Sequence, residues 1–337
     1  MRYLKLITII LILIPCIDAL TIGEKPSLVD TVIITNDNWA DCLAVANYAY
    51  QSDAIILQTE KDNLNPKVEE IIKIVNPKNI IIIGGPEAIS ENVERKLEKY
   101  APTVRIWGND RAETFEKIID YQLKNKKVSN ESIYLNYCLV NGYDFDDVVT
   151  VSNFYVPYYA SLKILNPKYT IRVYENDTVK IYEMHKNHKI FVGEYSKDCV
   201  FEFPGKIIIF KKPKYNVKYC YNNNLCKFGY EKIEVRDFRE GILITKNTPT
   251  AMLLSKYLKV PVILDGHTII YLEDDPIESS IAVAVDILVL KKAKELYENS
   301  GNAKQAIDEA KTQLWAKKLP VEKYNIPYEY ARRYIEK

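Results

Sequence analysis

Histidine is scarce in this sequence, with three residues in 337, and methionine and tryptophan are equally rare at three each. So small a supply of imidazole leaves few general bases and few metal ligands. His185 and His188 lie close to Met184, but no cysteine or carboxylate pair completes a familiar metal spacing, and the pair reads as a hairpin turn. No metal or other cofactor is expected. Net charge is lacking too: 46 Lys plus Arg balance 45 Asp plus Glu, which argues against nucleic acid as a partner and moves attention to local asymmetry. No nucleophile is paired with a base in a recognisable arrangement, so the chain is not expected to be an enzyme. Gly84-Gly85 stands before a helix but lacks the third glycine of a nucleotide-binding turn, and Pro86 removes one donor; a tight turn is the favoured reading. What is abundant is Ile, Lys and Tyr, the last at 26 residues. That skew is compatible with a thermophile and equally with nucleotide bias.

The opening apolar run is also short. Arg2 and Lys5 flank Leu6 to Ile14, and Pro15-Cys16-Ile17-Asp18-Ala19 supplies a small-residue exit. A membrane span needs about 20 apolar residues, so residues 1–19 read as a signal peptide cleaved after Ala19. A retained anchor stays open. Leu13-Ile14-Pro15 does not offer the small residues that a lipid anchor on Cys16 requires. The expected location is secreted or cell surface, where oxidation is permitted. Cys220 and Cys226 enclose the turn-rich Tyr-Asn-Asn-Asn-Leu and are expected to form a local disulfide. Cys42 and Cys138 read as small buried hydrophobes, and Cys199 has no obvious partner. Asn130-Glu-Ser132 and Asn176-Asp-Thr178 fit the N-glycosylation pattern.

A chain of 337 residues calls for two or three cores. Between Val29 and Thr114, apolar runs at Thr31–Thr35, Asp53–Leu57, Asn79–Gly84 and Thr103–Trp107 alternate with segments of helical period. Near-continuous Ile and Val runs of this kind are strands covered on both faces, as in a parallel sheet. Asn38 reads as a helix cap with Asp41 reaching back to it, Asn65-Pro66 starts a second helix, Ser90 caps a third, and Asp110 with Glu113 forms another capping box.

The opening recurs. Asn38-Trp-Ala-Asp-Cys-Leu-Ala-Val-Ala-Asn47 lies over Asp144-Phe-Asp-Asp-Val-Val-Thr-Val-Ser-Asn153, with the aromatic, the Asp and the Val-x-Asn in register. A weaker echo is Gly241–Thr245, a helix from about Thr248 to Leu258, and Pro261–Leu264. Such self-similarity marks repeated units that bury a shared core. The expected fold is therefore α/β: parallel-sheet, Rossmann-like modules with a β-rich insertion and C-terminal helices. Its parts are a module at 29–125, a degenerate second module at 130–168 plus 240–299, a β-rich basic insertion at 169–237 and a helical tail at 300–337.

Four quoted stretches carry a family resemblance: Asn38-Trp-Ala-Asp-Cys-Leu43, Ile55-Ile-Leu57, Ile81-Ile-Ile-Gly-Gly-Pro-Glu-Ala-Ile-Ser90 and Arg105-Ile-Trp-Gly-Asn-Asp-Arg-Ala-Glu-Thr114. In this order and spacing the first module resembles the cell wall binding repeat 2 family. The resemblance implies a non-catalytic module of exported surface proteins that attaches them to anionic wall polymers. Members usually carry three tandem copies, whereas this chain has one clear copy, a degenerate second and a long insertion.

Asp41 and Asp147 begin corresponding helices; capping is the favoured reading, and ligand contact at the carboxyl ends of the strands is the other. Arg111 occupies the position of the family's arginine, available to an acidic polymer, a neighbouring module or an internal ion pair. Phe203 to Tyr230 holds six lysines and no acidic residue. Of these, Lys211, Lys212, Lys214 and Lys218, with Tyr215 and Tyr219, offer charge and flat rings to an anionic glycan; a solvated hairpin edge is the plainer reading. The expected role is an exported envelope protein bound to an anionic surface polymer or surface-layer protein, with self-association left open. The alternatives are a secreted glycan-acting enzyme and a structural subunit of a surface lattice.

Overall fold

The computed structural model describes residues 26–125, 137–153, 155–160, 162–203, 205–210, 214, 240–243, 245–264, 267–270 and 272–337. Residues 1–19, Asn130 and the Cys220–Cys226 pair lie outside these, as do Lys211, Lys212, Tyr215, Lys218 and Tyr219.

The first module alternates strand and helix: β1 (Thr31–Thr35), α1 (Trp39–Gln51), β2 (Ile55–Gln58), α2 (Pro66–Val75), β3 (Asn79–Ile83), α3 (Glu91–Leu97), β4 (Thr103–Ile106) and α4 (Arg111–Lys124). Its sheet is wholly parallel in the order β2-β1-β3-β4, with Val32 opposite both Ile55 and Ile80. Every residue of β1 and β2 is buried, which is why these strands read as unbroken apolar runs.

Local chemistry sets the helix ends. Asn38 Oδ1 accepts from the Ala40 N–H at 3.1 Å, and Asn65 caps α2 ahead of Pro66. The reciprocal bond expected from Asp41 is not formed, because the Asn38 N–H already donates to Asn36 Oδ1 at 3.0 Å. Ser90 stands at the start of α3 without a side-chain cap; its N–H donates to the Lys61 carbonyl and its Oγ is buried without a partner. Asp110 Oδ1 accepts from the Glu113 N–H, while Glu113 Oε2 accepts from Asn109 rather than from Asp110 itself, so the box closes one residue early.

Helix α1 is buried almost all round, Ala40 to Ala46 without a break. A helix enclosed by neighbours needs no polar face. Those neighbours are α4 and two helices of the second module. That module opens with β5 (Tyr137–Asn141), α5 (Phe145–Ser152) and β6 (Val156–Ala160), and β5 and β6 are parallel. Phe115 of α4 fills the seam, 5.4 Å from the stacked Tyr159 ring and within 6 Å of Tyr137 and Tyr158. Aromatic pairs of this geometry contribute about 1 kcal/mol each beyond area burial.

The insertion is antiparallel. It comprises β8 (Thr170–Glu175), β9 (Thr178–His185), β10 (His188–Ser196), β11 (Val200–Phe203) and β12 (Lys206–Phe210), and it takes in β7 (Leu162–Leu165), which lies before the expected start at 169 but pairs antiparallel with β12; the two three-stranded sheets are β10-β9-β8 and β11-β12-β7. Leu165, Val179, Ile181, Ile207 and Ile209 form its separate small core. His185 and His188 pair directly across the β9–β10 turn, and exposed Asn176 forms the β8–β9 turn with φ +38°.

A further parallel sheet, in the order β14-β13-β15, follows with β13 (Glu240–Leu243), α6 (Ala251–Leu258), β14 (Val262–Ile263) and β15 (His267–Ile270). One side chain ties this sheet to the end of α5: Asn153 Nδ2 donates to the Val262 carbonyl and Asn153 Oδ1 accepts from the Val262 N–H, both at 2.8 Å. The chain closes with α7 (Pro276–Ser300), α8 (Ala303–Ala316) and α9 (Tyr328–Ile335). Asp275 caps α7 and Gly301, at φ +60°, ends it in the left-handed conformation. Helix α7 covers β2, where Ser280 Oγ accepts the Gln58 N–H at 3.0 Å. Burial pushes Asp286 of this helix up to about 8. No helix among the described residues is long and apolar enough to cross a membrane.

Cys42 is a buried free thiol, its pKa pushed up by burial and then by Asp41. Cys138 is buried, as its reading expects, and unlike Cys42 it is disulfide-bonded.

Candidate functional site

The strand order places the topological switch between β1 and β3, and ligands of open α/β sheets sit outside the carboxyl ends of the strands at such a point. Here that edge is built from the loops after β1, β3, β4 and β5. After β3 the chain turns at Gly84, φ +112°, where an added Cβ would lie 3.0 Å from Ala88 and 3.2 Å from Asp41 Oδ2. Arg105 holds this turn from beneath. Its guanidinium donates to the carbonyls of Gly84 and Ile89 at 2.9 and 2.8 Å and to Glu94 at 2.9 to 3.0 Å. At Gly85 a Cβ would meet the Trp107 ring at 2.9 Å.

The loop after β4 is equally constrained. The Gly108 N–H donates to Thr114 Oγ1 at 2.9 Å, and a Cβ at Gly108 would lie 2.5 Å from Glu113. Asp110 then caps α4, which brings Arg111 to the rim in the first turn. Most of the Arg105–Thr114 motif thus serves to fold a turn, and Arg111 is the residue that leaves it. Its Nη1 donates to the Gly142 carbonyl at 3.1 Å, across the seam in the second module. Its charged carbon lies 4.9 Å from the Trp39 ring centre and 4.8 Å from that of Tyr143. Cation–ring contacts of this kind contribute about 0.5–1 kcal/mol each at partly exposed sites.

Equivalent positions of the repeat meet here. Trp39 and Phe145, first residues of α1 and α5, are in edge-to-face contact at 5.3 Å. Asp144 caps α5 by accepting the Asp147 N–H at 3.0 Å. Asp41 lies deeper, 9% exposed, and burial pushes it up to about 6 against the opposing pull of Arg111. Tyr159 passes beneath and donates to the Ala40 carbonyl at 3.0 Å. The rim itself is aromatic and exposed, Trp107 at 44% and Tyr143 at 53%.

The structure brings Trp39, Asp41, Gly84, Gly85, Asp110 and Arg111 to one edge. Lys214 is elsewhere, its ammonium bonded to both carboxylate oxygens of Asp120 on α4 at 2.8 and 2.6 Å. Sequence reasoning missed Arg105, Trp107 and Tyr143 as contributors. Trp107 and Arg105 stood inside the quoted motif and Tyr143 directly before the Asp144 cap, but only the fold shows that their loops converge. The edge can hold a polar or anionic group: the Gly142 carbonyl takes one of Arg111's five N–H donors, and the exposed rings flank it. No group of three or more metal-ligating side chains occurs among the described residues.

Comparison with known proteins gives partial matches. The chain is 32% identical over 168 residues to the amidase enhancer of Bacillus subtilis, covering 50% of this chain and 21% of that protein. It is 32% identical over 145 residues to an uncharacterized protein of Methanocaldococcus jannaschii, covering 42% of this chain and 40% of the other. The matches thus span from about a fifth to two fifths of these relatives. Among solved structures, Cwp6 from Clostridium difficile is similar over 37% of this chain and 19% of its own, at 26% identity and a TM-score of 0.32. The family match ends at residue 94, before the Arg105–Thr114 loop. Residues 17–94 match the family of the Cell wall binding domain 2 (CWB2), so the resemblance read from the first module is shown over that stretch.

Proposed function

We propose that this is an exported, non-catalytic protein of the cell surface that associates with an anionic envelope polymer or a surface layer through the carboxyl edge of its first module. The observation that carries the reading is the match of that module to a family described by cell wall binding. The chemistry of the edge supports it. Arg111 is fixed by Gly142, Trp39 and Tyr143, so a bound phosphate or carboxylate would pay little of the cost of ordering a long side chain. Trp107 and Tyr143 add flat faces with polar tips suited to sugar rings.

The test is sedimentation of the purified protein with isolated envelopes at low and high salt. Binding is expected at low salt and should weaken as salt rises, since a partly exposed ion pair is screened. Arg111→Ala, with folding checked by circular dichroism, should weaken low-salt binding several-fold. A combined Lys211, Lys212, Lys214 charge-removed variant assigns the remainder: unchanged binding removes the basic stretch from the contact surface. Failure to sediment with envelopes at either salt overturns the reading.

A further inference from the structure

A second candidate surface, lined by none of the Arg111-edge residues, lies where the helical tail meets the flank of the first module. A groove of about 760 Å³ runs between α2, α7 and the segment that follows α8. Its floor is apolar, formed by Ile71, Ile281 and Leu319, each no more than 2% exposed. Trp315 lines it and is 68% exposed, the most open of the large hydrophobic side chains among the described residues. Full burial of a tryptophan removes roughly 200 Å² from water. Leaving that area open in a ring that faces a groove is a cost the fold does not require, because the packing of α8 is already met by Ala306, Ala310 and Leu314.

The walls are tied together. Glu278 of α7 receives Lys67 from α2 on one oxygen and Lys323, at 2.7 Å, on the other, so both sides of the groove share one carboxylate. That bridge lowers the Glu278 pKa through its two lysine hydrogen bonds. Leu319 is held by its N–H bond to the Leu314 carbonyl at 3.1 Å, and Lys318 enters the groove from the left-handed position that ends α8, φ +68°. The polar rim carries both signs: Lys67, Lys318 and Lys323 against Glu70 and Glu322.

We propose that this groove binds a neutral hexopyranose unit of a polysaccharide. The apolar face of a pyranose ring stacks on an exposed indole, and its hydroxyls, each both donor and acceptor, are satisfied by a rim that offers ammonium and carboxylate groups together. A polyanion would meet Glu70 and Glu322 as well as the lysines, and the Glu278 bridge already occupies two of those. The groove shares no lining residue with the Arg111 edge, and its binding differs in kind: it is insensitive to salt.

The test titrates the full protein with cellohexaose, maltohexaose and chitohexaose while following tryptophan fluorescence, at 50 mM and 500 mM NaCl. At least one of the three is expected to quench or shift the emission equally at both salt concentrations, and Trp315→Ala should abolish the response. Because Trp315 is largely exposed, that variant should fold; its circular dichroism spectrum and its envelope binding through the Arg111 edge serve as controls. Lys318→Ala should weaken the sugar several-fold without removing the spectral change. The proposal is overturned if none of the three neutral oligosaccharides responds, or if the response survives in Trp315→Ala. It is overturned also if only polygalacturonate binds, with salt dependence, or if Trp315→Ala merely dissociates a self-associated form in sedimentation.

Discussion

The two copies of the repeated helix start share their capping chemistry and differ in how they keep a sheet together. In the first, the chain runs unbroken through four parallel strands, and α1 extends for 13 residues, nine of them buried. In the second, the insertion separates β6 from β13, and α5 stops after 8 residues. The break is repaired by Asn153, whose side-chain amide bonds to both backbone groups of Val262 as a neighbouring strand would. Asn47, its counterpart in the first copy, makes no such bond among the described hydrogen bonds. Two sheets that share no strand are thus joined through one side-chain amide.

Replacing that amide gives the largest effect. Asn153→Leu leaves the N–H and C=O of Val262 without their partner, at about 1–3 kcal/mol per buried unsatisfied group. The loss of stability is expected near 3 kcal/mol by urea denaturation, against less than about 0.5 kcal/mol for Asn47→Leu. Equal losses at the two positions would show that the second copy holds its halves by packing alone.

This contrast also marks what could be read in advance. Parallel strands, caps at Asn38, Asn65 and Asp110, and antiparallel alternation in the insertion are local patterns, and each was visible in a window of a few residues. The enclosure of α1 was not, because α5 and α6, which cover its outer side, come from about 100 and 200 residues downstream. At the candidate site, Arg111 and Asp41 were named from position, but their surroundings depend on loops after four strands meeting at one edge. The lysine stretch shows another limit: of its two described members Lys206 opens β12 and Lys214 is engaged with Asp120, and charge in sequence does not reveal its pairing. Trp315 could not be singled out either, since one step along a helix from buried Leu314 rotates a side chain by about 100° and out of the core.

The second difference between the copies is the burial of Asp41. Its folded pKa, about 6, stands above the ordinary 3.8. Folded protein therefore holds the proton that the unfolded chain releases, so this residue's contribution is fully present below pH 4 and is lost as pH rises through 4 to 6. Asp41→Asn should leave stability unchanged at pH 4 and raise it by roughly 2–3 kcal/mol at pH 7. Asp286, pushed up to about 8 chiefly by burial, acts with the same sign over a wider window. The informative quantity is accordingly the variant-minus-parent difference in urea midpoint, which should grow between pH 4 and 6 and then level off. A difference independent of pH would mean that Asp41 is ionised alike in both states.

The smallest effect concerns the join between the copies. Arg111 belongs to the first and reaches Gly142 and Tyr143 of the second. Arg111→Ala should cost about 1–2 kcal/mol, combining one hydrogen bond with two ring contacts. A double-mutant cycle with Tyr143→Leu separates the parts, and the expected coupling is about 0.5–1 kcal/mol. Tyr143 is exposed at 53%, so its replacement should disturb little else. A coupling near zero would leave the Gly142 carbonyl as the anchor and free the Tyr143 ring for ligand. A coupling in the expected range makes the ring part of the scaffold that aims Arg111, and envelope binding should then fall in Tyr143→Leu as well as in Arg111→Ala.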